Sequence, residues 1–212
     1  MVGGRLGGRR LRPVPGKETR PTSDRVREAL FAVLGGRVEG ARVLDLFAGT
    51  GALAIEALSR GASSAVLVEQ AAPAVEVIRA NLDALGLAGR CRVRRTRVET
   101  YVRTQRDGPF DLVLLDPPYT APVGLVAGLL GRLARTALAP GAVVVVEAAA
   151  RTEPPPWPPD LVPDPPRRYG DTALHVATHR SAPEAEPEVR VRARPGSGRE
   201  GGRAARPEPG GP

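Results

Sequence analysis

The chain is short of the residues that mark cross-linked, metal-bound or membrane-spanning proteins. Cys91 is the only cysteine among 212 residues, which leaves no disulfide framework and no thiolate zinc cluster. No apolar run is long enough to cross a bilayer and no secretory leader is present, so a soluble, cytoplasmic protein is expected. Aromatic residues make up only 3%, so the core has to be built from Leu, Val and Ala. Lysine is nearly missing too: Lys17 is the single one among 31 basic residues. With abundant Ala, Gly and Pro, that bias points to a GC-rich genome, and arginine number alone says little about RNA.

Where the charge falls says more. Residues 1–27 hold eight basic residues against Glu18 and Asp24, which is +6 of the formal +8. A basic amino-terminal arm, residues 1–20, suits a polyanion, with Arg5, Arg9, Arg10, Arg20, Arg25 and Arg27 as the candidate RNA contacts. Gly7-Gly8 can turn the arm into a short hairpin. The tail from Ser181 balances six arginines against five glutamates and has almost nothing to bury, so residues 179–212 are expected to be disordered.

Between these ends the pattern alternates. Thr22 or Ser23 can cap a helix that Gly35-Gly36 stop, with Val26, Ala29, Leu30, Val33 and Leu34 on its inner stripe and Arg25 and Arg27 free to face a ligand. Strands are expected at Ala41–Phe47, Ser64–Glu69, Cys91–Arg95 and Phe110–Asp116, and after a turn at Pro140-Gly141, at Val143–Glu147. Helices fall at Ala52–Ser59, Ala72–Leu85, from Val98, and at Val123–Arg135. Five such units predict an α/β protein with a doubly wound, Rossmann-like parallel sheet over residues 21–178. A proline-rich loop, Glu153–Pro166, is held to the sheet by Trp157. A hairpin turning at Gly170-Asp171 then closes the sheet antiparallel. Cys91, His175 and His179 read as structural or exposed residues, and no metal site is expected.

Two stretches carry chemistry. Asp45-Leu46-Phe47-Ala48-Gly49-Thr50-Gly51 joins a strand to a helix, with glycines that let a ligand approach the backbone. Gly49 to Ala54 also fits the dinucleotide pattern G-x-G-x-x-A, with Glu69 at the distance of a ribose-binding acid, so a nicotinamide enzyme has to be weighed. Against it, Asp45 would repel a pyrophosphate and attract a sulfonium or ammonium group. The second stretch, Asp116-Pro117-Pro118-Tyr119, ends the apolar run Phe110–Leu115. Its carboxylate and the Pro117 carbonyl can accept both hydrogens of one amino group, the prolines hold them still, and Tyr119 offers a face for a flat ring. Hydride transfer has no use for such a motif. A cationic, adenosine-containing cofactor suits both acids, with Asp45 near its positive end and Glu69 on its ribose: S-adenosylmethionine.

With Gly4–Leu11, Arg20–Glu28, Asp45–Gly51, Glu69 and Asp116–Tyr119 together, the chain resembles the RsmD family of 16S rRNA guanine-N2 methyltransferases over about residues 3–178. The resemblance implies methyl transfer to a guanine of small-subunit rRNA, within a largely assembled 30S particle; a monomer is expected. It assigns Asp116, Pro117, Pro118 and Tyr119 to the target base, and Asp45, Phe47, Ala48, Gly49, Thr50, Gly51, Glu69 and Val98 to the cofactor. One position departs: where many relatives have an Asp or Asn for the adenine amino group, this chain has Arg97, which cannot accept. The alternatives are an adenine-N6 methyltransferase on DNA or RNA, and a non-catalytic ribosome-assembly factor that binds RNA.

Overall fold

The computed structural model describes residues 1–15, 24–118, 120–122 and 124–180. Tyr119, Arg20, the caps Thr22 and Ser23, and the tail from Ser181 lie outside the described residues.

Helix α1 (Asp24–Leu34) ends where Gly35 turns the chain with a positive φ of 52°. Four strand–helix units follow: β1 (Arg42–Leu46) with α2 (Ala52–Ser59), β2 (Ser64–Glu69) with α3 (Ala72–Ala84), β3 (Cys91–Arg95) with α4 (Val98–Thr104), and β4 (Phe110–Leu115) with α5 (Leu125–Thr136). They lead into β5 (Leu138–Ala149), and β6 (Leu161–Pro163), β7 (Arg167–Tyr169) and β8 (Thr172–His179) complete the sheet. The strand order is β3-β2-β1-β4-β5-β8-β6, with β7 also on β8. The pairs among β1 to β5 are parallel, while β8 runs antiparallel to β5, β6 and β7. The doubly wound sheet with an antiparallel finish is therefore present.

Both faces are covered, which is why the strands read as unbroken apolar runs. Val43, Leu67, Leu112, Leu114 and Val145 pack with α1, α2 and α3, whereas Leu44, Val68, Val113, Leu115 and Val144 pack with α4 and α5. Removing a large side chain from either layer, such as Leu44 or Leu114, would cost about 2–5 kcal/mol. Trp157 packs against the second layer, as expected of a residue that holds its loop.

Three expectations need correction. The arm forms a 3-10 turn at Gly4–Leu6 and not a hairpin, with the Gly8 amide on the Met1 carbonyl. Pro140-Gly141 does not precede β5 but lies inside it. Phe110 pairs with Leu138 and Leu112 with Val143, so the four residues 139–142 oppose Asp111 alone in a bulge, with Gly141 at φ 75°. The proline-rich loop contains β6, whose Pro163 is tolerated because the strand lies at the sheet edge.

The arm is also strapped down. Seven of the eight residues of α2 are buried, including Glu56, and a buried carboxylate has to be satisfied. The Val2 and Gly3 amides donate to its two oxygens at 2.9 and 2.8 Å, and Arg60 adds an ion pair at 2.8 Å. Gly4 at φ 69° sits so close to the Ser59 carbonyl that a Cβ there would come within 2.1 Å, which makes glycine obligatory.

Candidate active site

Helix α2 returns the chain from β1 to one side of the sheet and α4 takes it from β3 to the other, so the winding reverses between β1 and β4. Such a switch point leaves a crevice at the carboxyl ends of the strands. Leu46 is in register with Leu115, so the turn after β1 and the segment after β4 leave the sheet side by side. They share one cavity of about 880 Å³, within the size range of small-molecule sites.

On the β1 side, Phe47 has a φ of 65°, a left-handed conformation that strains a bulky residue and marks the start of the turn. The Ala48 amide bonds to the Val68 carbonyl and the Gly51 amide to the Ala48 carbonyl. Glu69, at the end of β2, braces this turn: its carboxylate accepts from the Gly49 amide at 3.0 Å and the Ala71 amide at 2.8 Å. Asn81, buried on α3, donates to the Thr50 carbonyl and accepts from the Arg12 amide, joining turn to arm. Asp45 is 1% exposed and accepts from the Ala54 amide at the start of α2. Burial pushes its pKa up to about 7; the Ala54 bond opposes this, and the Asp116 and Glu69 carboxylates add to it.

On the β4 side, Asp116, Pro117 and Pro118 line the same cavity. Next to them stand Glu147 from β5, 9% exposed, and the β7–β8 turn from Tyr169 to Thr172. Neither was assigned to the site from sequence, although the turn at Gly170-Asp171 was expected. Glu147 carried the signal that exposed Asp116, an acid closing an apolar strand, and only its neighbour's proline motif drew more notice.

Asp45, Phe47, Ala48, Gly49, Thr50, Glu69 and Val98 all line the cavity, as do Asp116, Pro117 and Pro118. Gly51 does not: it caps α2 at φ 80°, and a Cβ there would meet Leu67 Cδ2 at 3.1 Å, so it faces the core. Arg25 is exposed and lines the cavity, and Arg5, Arg9 and Arg10 are exposed on the arm. Arg27 is not available to RNA. It is 5% exposed, paired with Asp24 and 3.8 Å from the Glu56 carboxylate. Its placement off the apolar stripe suggested a free side chain, but a buried acid on the next helix draws it inward. Arg97 caps α4 and pairs with Glu99 at 3.0 Å; Thr96 and Glu99 line the cavity beside it.

Among the described residues no group of His, Cys, Asp and Glu could hold a metal ion, and no helix is long and apolar enough to cross a membrane. A second hollow of about 320 Å³ lies among Arg103, Arg106, Arg132 and the start of β4, at the opposite end of the strands.

The chain is 40% identical over 121 residues to YlbH of Bacillus subtilis (strain 168), provisionally named an rRNA methyltransferase. It is 42% identical over 120 residues to ribosomal RNA small subunit methyltransferase D of Escherichia coli (strain K12). Each match covers 56% of this chain and spans less than two thirds of the relative, 66% of the first and 59% of the second. Among solved structures, yhhF from Escherichia coli, provisionally named a methyltransferase, superposes with a TM-score of 0.75 at 32% identity. That match covers 85% of this chain and 97% of the other. The family model described as Conserved hypothetical protein 95 matches residues 1–178, from the strapped arm through the glycine turn and Asp-Pro-Pro-Tyr to β8, and the chain belongs to that family, the RsmD family.

Proposed function

We propose that this protein transfers a methyl group from S-adenosylmethionine to the N2 amine of a guanine in 16S rRNA, within the small ribosomal subunit. One observation carries the proposal: the glycine turn with its acids and the Asp116-Pro117-Pro118 segment open into one cavity, so a cofactor and a target amine can meet there.

The residues fit the cofactor. Asp45 is a buried carboxylate whose proton is held up to about pH 7, and a cationic ligand would stabilise its charged form. Glu69 is fixed by two backbone amides and keeps lone pairs for ribose hydroxyls. Val98 and Glu99 line the same cavity beside Arg97, and a carboxylate can accept from an adenine amino group where an arginine cannot. When bound, S-adenosylmethionine brings a methyl group made electrophilic by its sulfonium.

The protein supplies position. A guanine N2 lone pair is delocalised into the ring and attacks poorly. The Asp116 carboxylate and the Pro117 carbonyl accept its two hydrogens, which favours a pyramidal nitrogen with the lone pair exposed. The Asp116 carboxylate can also take the proton the amine gives up once alkylated. Holding both reactants in line is the main contribution. The base has to leave its stack, which costs a few kcal/mol that stacking on Tyr119 offsets in part. Arg5, Arg9, Arg10 and Arg25 hold the surrounding phosphates.

The test is tritiated-methyl transfer to 30S particles from a strain lacking the enzyme, with the label mapped by nuclease digestion. Label in one N2-methylguanosine of 16S rRNA is expected; label in adenosine, or none, would overturn the assignment.

A further inference from the structure

Glu147 stands one position beyond the last registered pair of β4 and β5, Leu115 with Val146, as does Asp116 on β4. Their backbones therefore leave neighbouring strands at the same level, about 4.8 Å apart across the sheet. Side chains alternate along a strand. Leu114 and Val145 belong to the layer under α1 to α3, so Asp116 and Glu147, two residues on, project to that same side. Both line the cavity, and Glu147 is nearly buried there. A carboxylate kept from water at the floor of a binding cavity is costly unless a ligand or neighbour donates hydrogen bonds to it.

We infer that Glu147 reads the Watson–Crick edge of the target base by accepting the N1–H of guanine, which makes it a specificity-determining residue. The inference rests on guanine N2 as the methyl acceptor. In guanine the N1–H lies beside the N2 amine, so a base whose amine rests on Asp116 turns N1–H toward one of the flanking strands. The β5 side offers Glu147. A carboxylate has four lone-pair positions, so a bond it already makes leaves room for this one. Adenine presents the opposite pattern beside its amine, a bare N1 lone pair, and a carboxylate facing it is repelled. Guanine is thus favoured over adenine by an acceptor meeting a donor, in a cavity where an unmatched polar group is penalised. Asp116 holds whichever amine arrives, and Glu147 selects the ring that carries it.

The experiment uses 2-aminopurine, which keeps the 2-amino group of guanine but has no N1–H. Wild-type enzyme first identifies the methylated guanine in 30S particles. Particles are then assembled with 16S rRNA carrying 2-aminopurine at that position, and kcat/KM is compared for wild type and Glu147→Gln. Wild type should lose about 10- to 100-fold on 2-aminopurine, the scale of one well-made base contact. Glu147→Gln keeps the side-chain shape and should bind S-adenosylmethionine within about twofold of wild type by calorimetry. It should lose about 10-fold on guanine and nothing on 2-aminopurine, because its amide can donate to the bare N1. Equal wild-type rates on the two bases, or an unchanged guanine preference in Glu147→Gln, would overturn the assignment of Glu147 while leaving the enzyme's activity standing. A wild-type enzyme that methylates no guanine would instead overturn the activity, and this role with it.

Discussion

The cavity and the arm carry opposite charge. Asp45, Glu69, Glu99, Asp116, Glu147 and Asp171 line the cavity against two cations, Arg25 and Arg97. Residues 1–15 contain Arg5, Arg9, Arg10 and Arg12 and no acid, and all four are exposed. A uniformly basic surface would draw phosphate into the cavity. Acids there instead repel phosphate, favour a cationic cofactor and present acceptors to a base edge rich in donors. On the proposed activity, the polyanion stays outside while one base enters. The two regions are also physically joined, because Asn81 bonds both Arg12 and Thr50.

Four single substitutions, one triple variant and one titration would break or sharpen this contrast. The largest effect is expected on the cavity side. We predict that Asp116→Ala lowers methyl transfer by about two to three orders of magnitude, the scale of deleting one preorganised group at the reacting atom. Its affinity for S-adenosylmethionine should change little in calorimetry; a matching loss of affinity would move Asp116 to the cofactor.

Next comes the arginine that belongs to neither region. Arg27→Ala should destabilise the fold by about 3 kcal/mol, as expected when a buried pair loses one partner. Denaturant unfolding measures that loss. If Arg27→Ala instead unfolds normally and binds 30S particles weakly, Arg27 touches RNA after all.

Asp45 gives a pH signature. Its folded pKa, about 7, lies above the ordinary carboxylate value of 3.8. Below about pH 4 the folded and unfolded chains both carry the proton, and its contribution to stability is complete. Between about 4 and 7 the unfolded chain ionises first, so stability falls as pH rises, and above 7 it levels. The change is on the order of a few kcal/mol, and Asp45→Asn should remove this part of the slope in thermal melts. Cofactor binding near pH 6.5 should release a proton, seen as a binding enthalpy that depends on the buffer.

Glu69→Ala should weaken S-adenosylmethionine binding by about 1–3 kcal/mol, through lost ribose bonds and a loosened turn at Gly49. Unchanged affinity would mean that Glu69 only braces the backbone.

How much of this was legible in the sequence depends on what sets each feature. The bounds of α2, β2 and β3 follow from local signals, because glycines, apolar runs and the change of period mark both ends. The cavity was legible as two motifs because strand ends in a parallel sheet converge at a known place. Arg27 was misread because its burial depends on Glu56, and the burial of Glu56 depends on an arm fifty residues earlier in the chain. Glu147 and the Tyr169–Thr172 turn were missed as cavity residues for the same reason. They reach the cavity through the order of β5 and β8 in the sheet, which no local pattern prints. Gly51 is a narrower case: a glycine within a ligand turn can serve the turn and present its Cβ side to the core.

The smallest effect belongs to the arm. Replacing Arg5, Arg9 and Arg10 with alanine should leave cofactor affinity unchanged. Each lost phosphate contact should flatten the log–log salt dependence of 30S binding by about 0.7 to 0.9. An unchanged slope between about 50 and 200 mM salt would mean the arm only straps α2.

The most direct test of the division of labour between cavity and arm is the nucleoside product itself. 30S particles lacking the modification are incubated with S-adenosylmethionine and wild type, Asp116→Ala or the triple arginine variant at low salt, and the 16S rRNA is digested for mass analysis. Wild type and the arm variant should both yield N2-methylguanosine at one position, the arm variant more slowly as salt rises, and Asp116→Ala should form it at least about 100-fold more slowly. Full product from Asp116→Ala, or a methylated adenosine from wild type, would contradict the assignment of the acidic cavity to guanine N2.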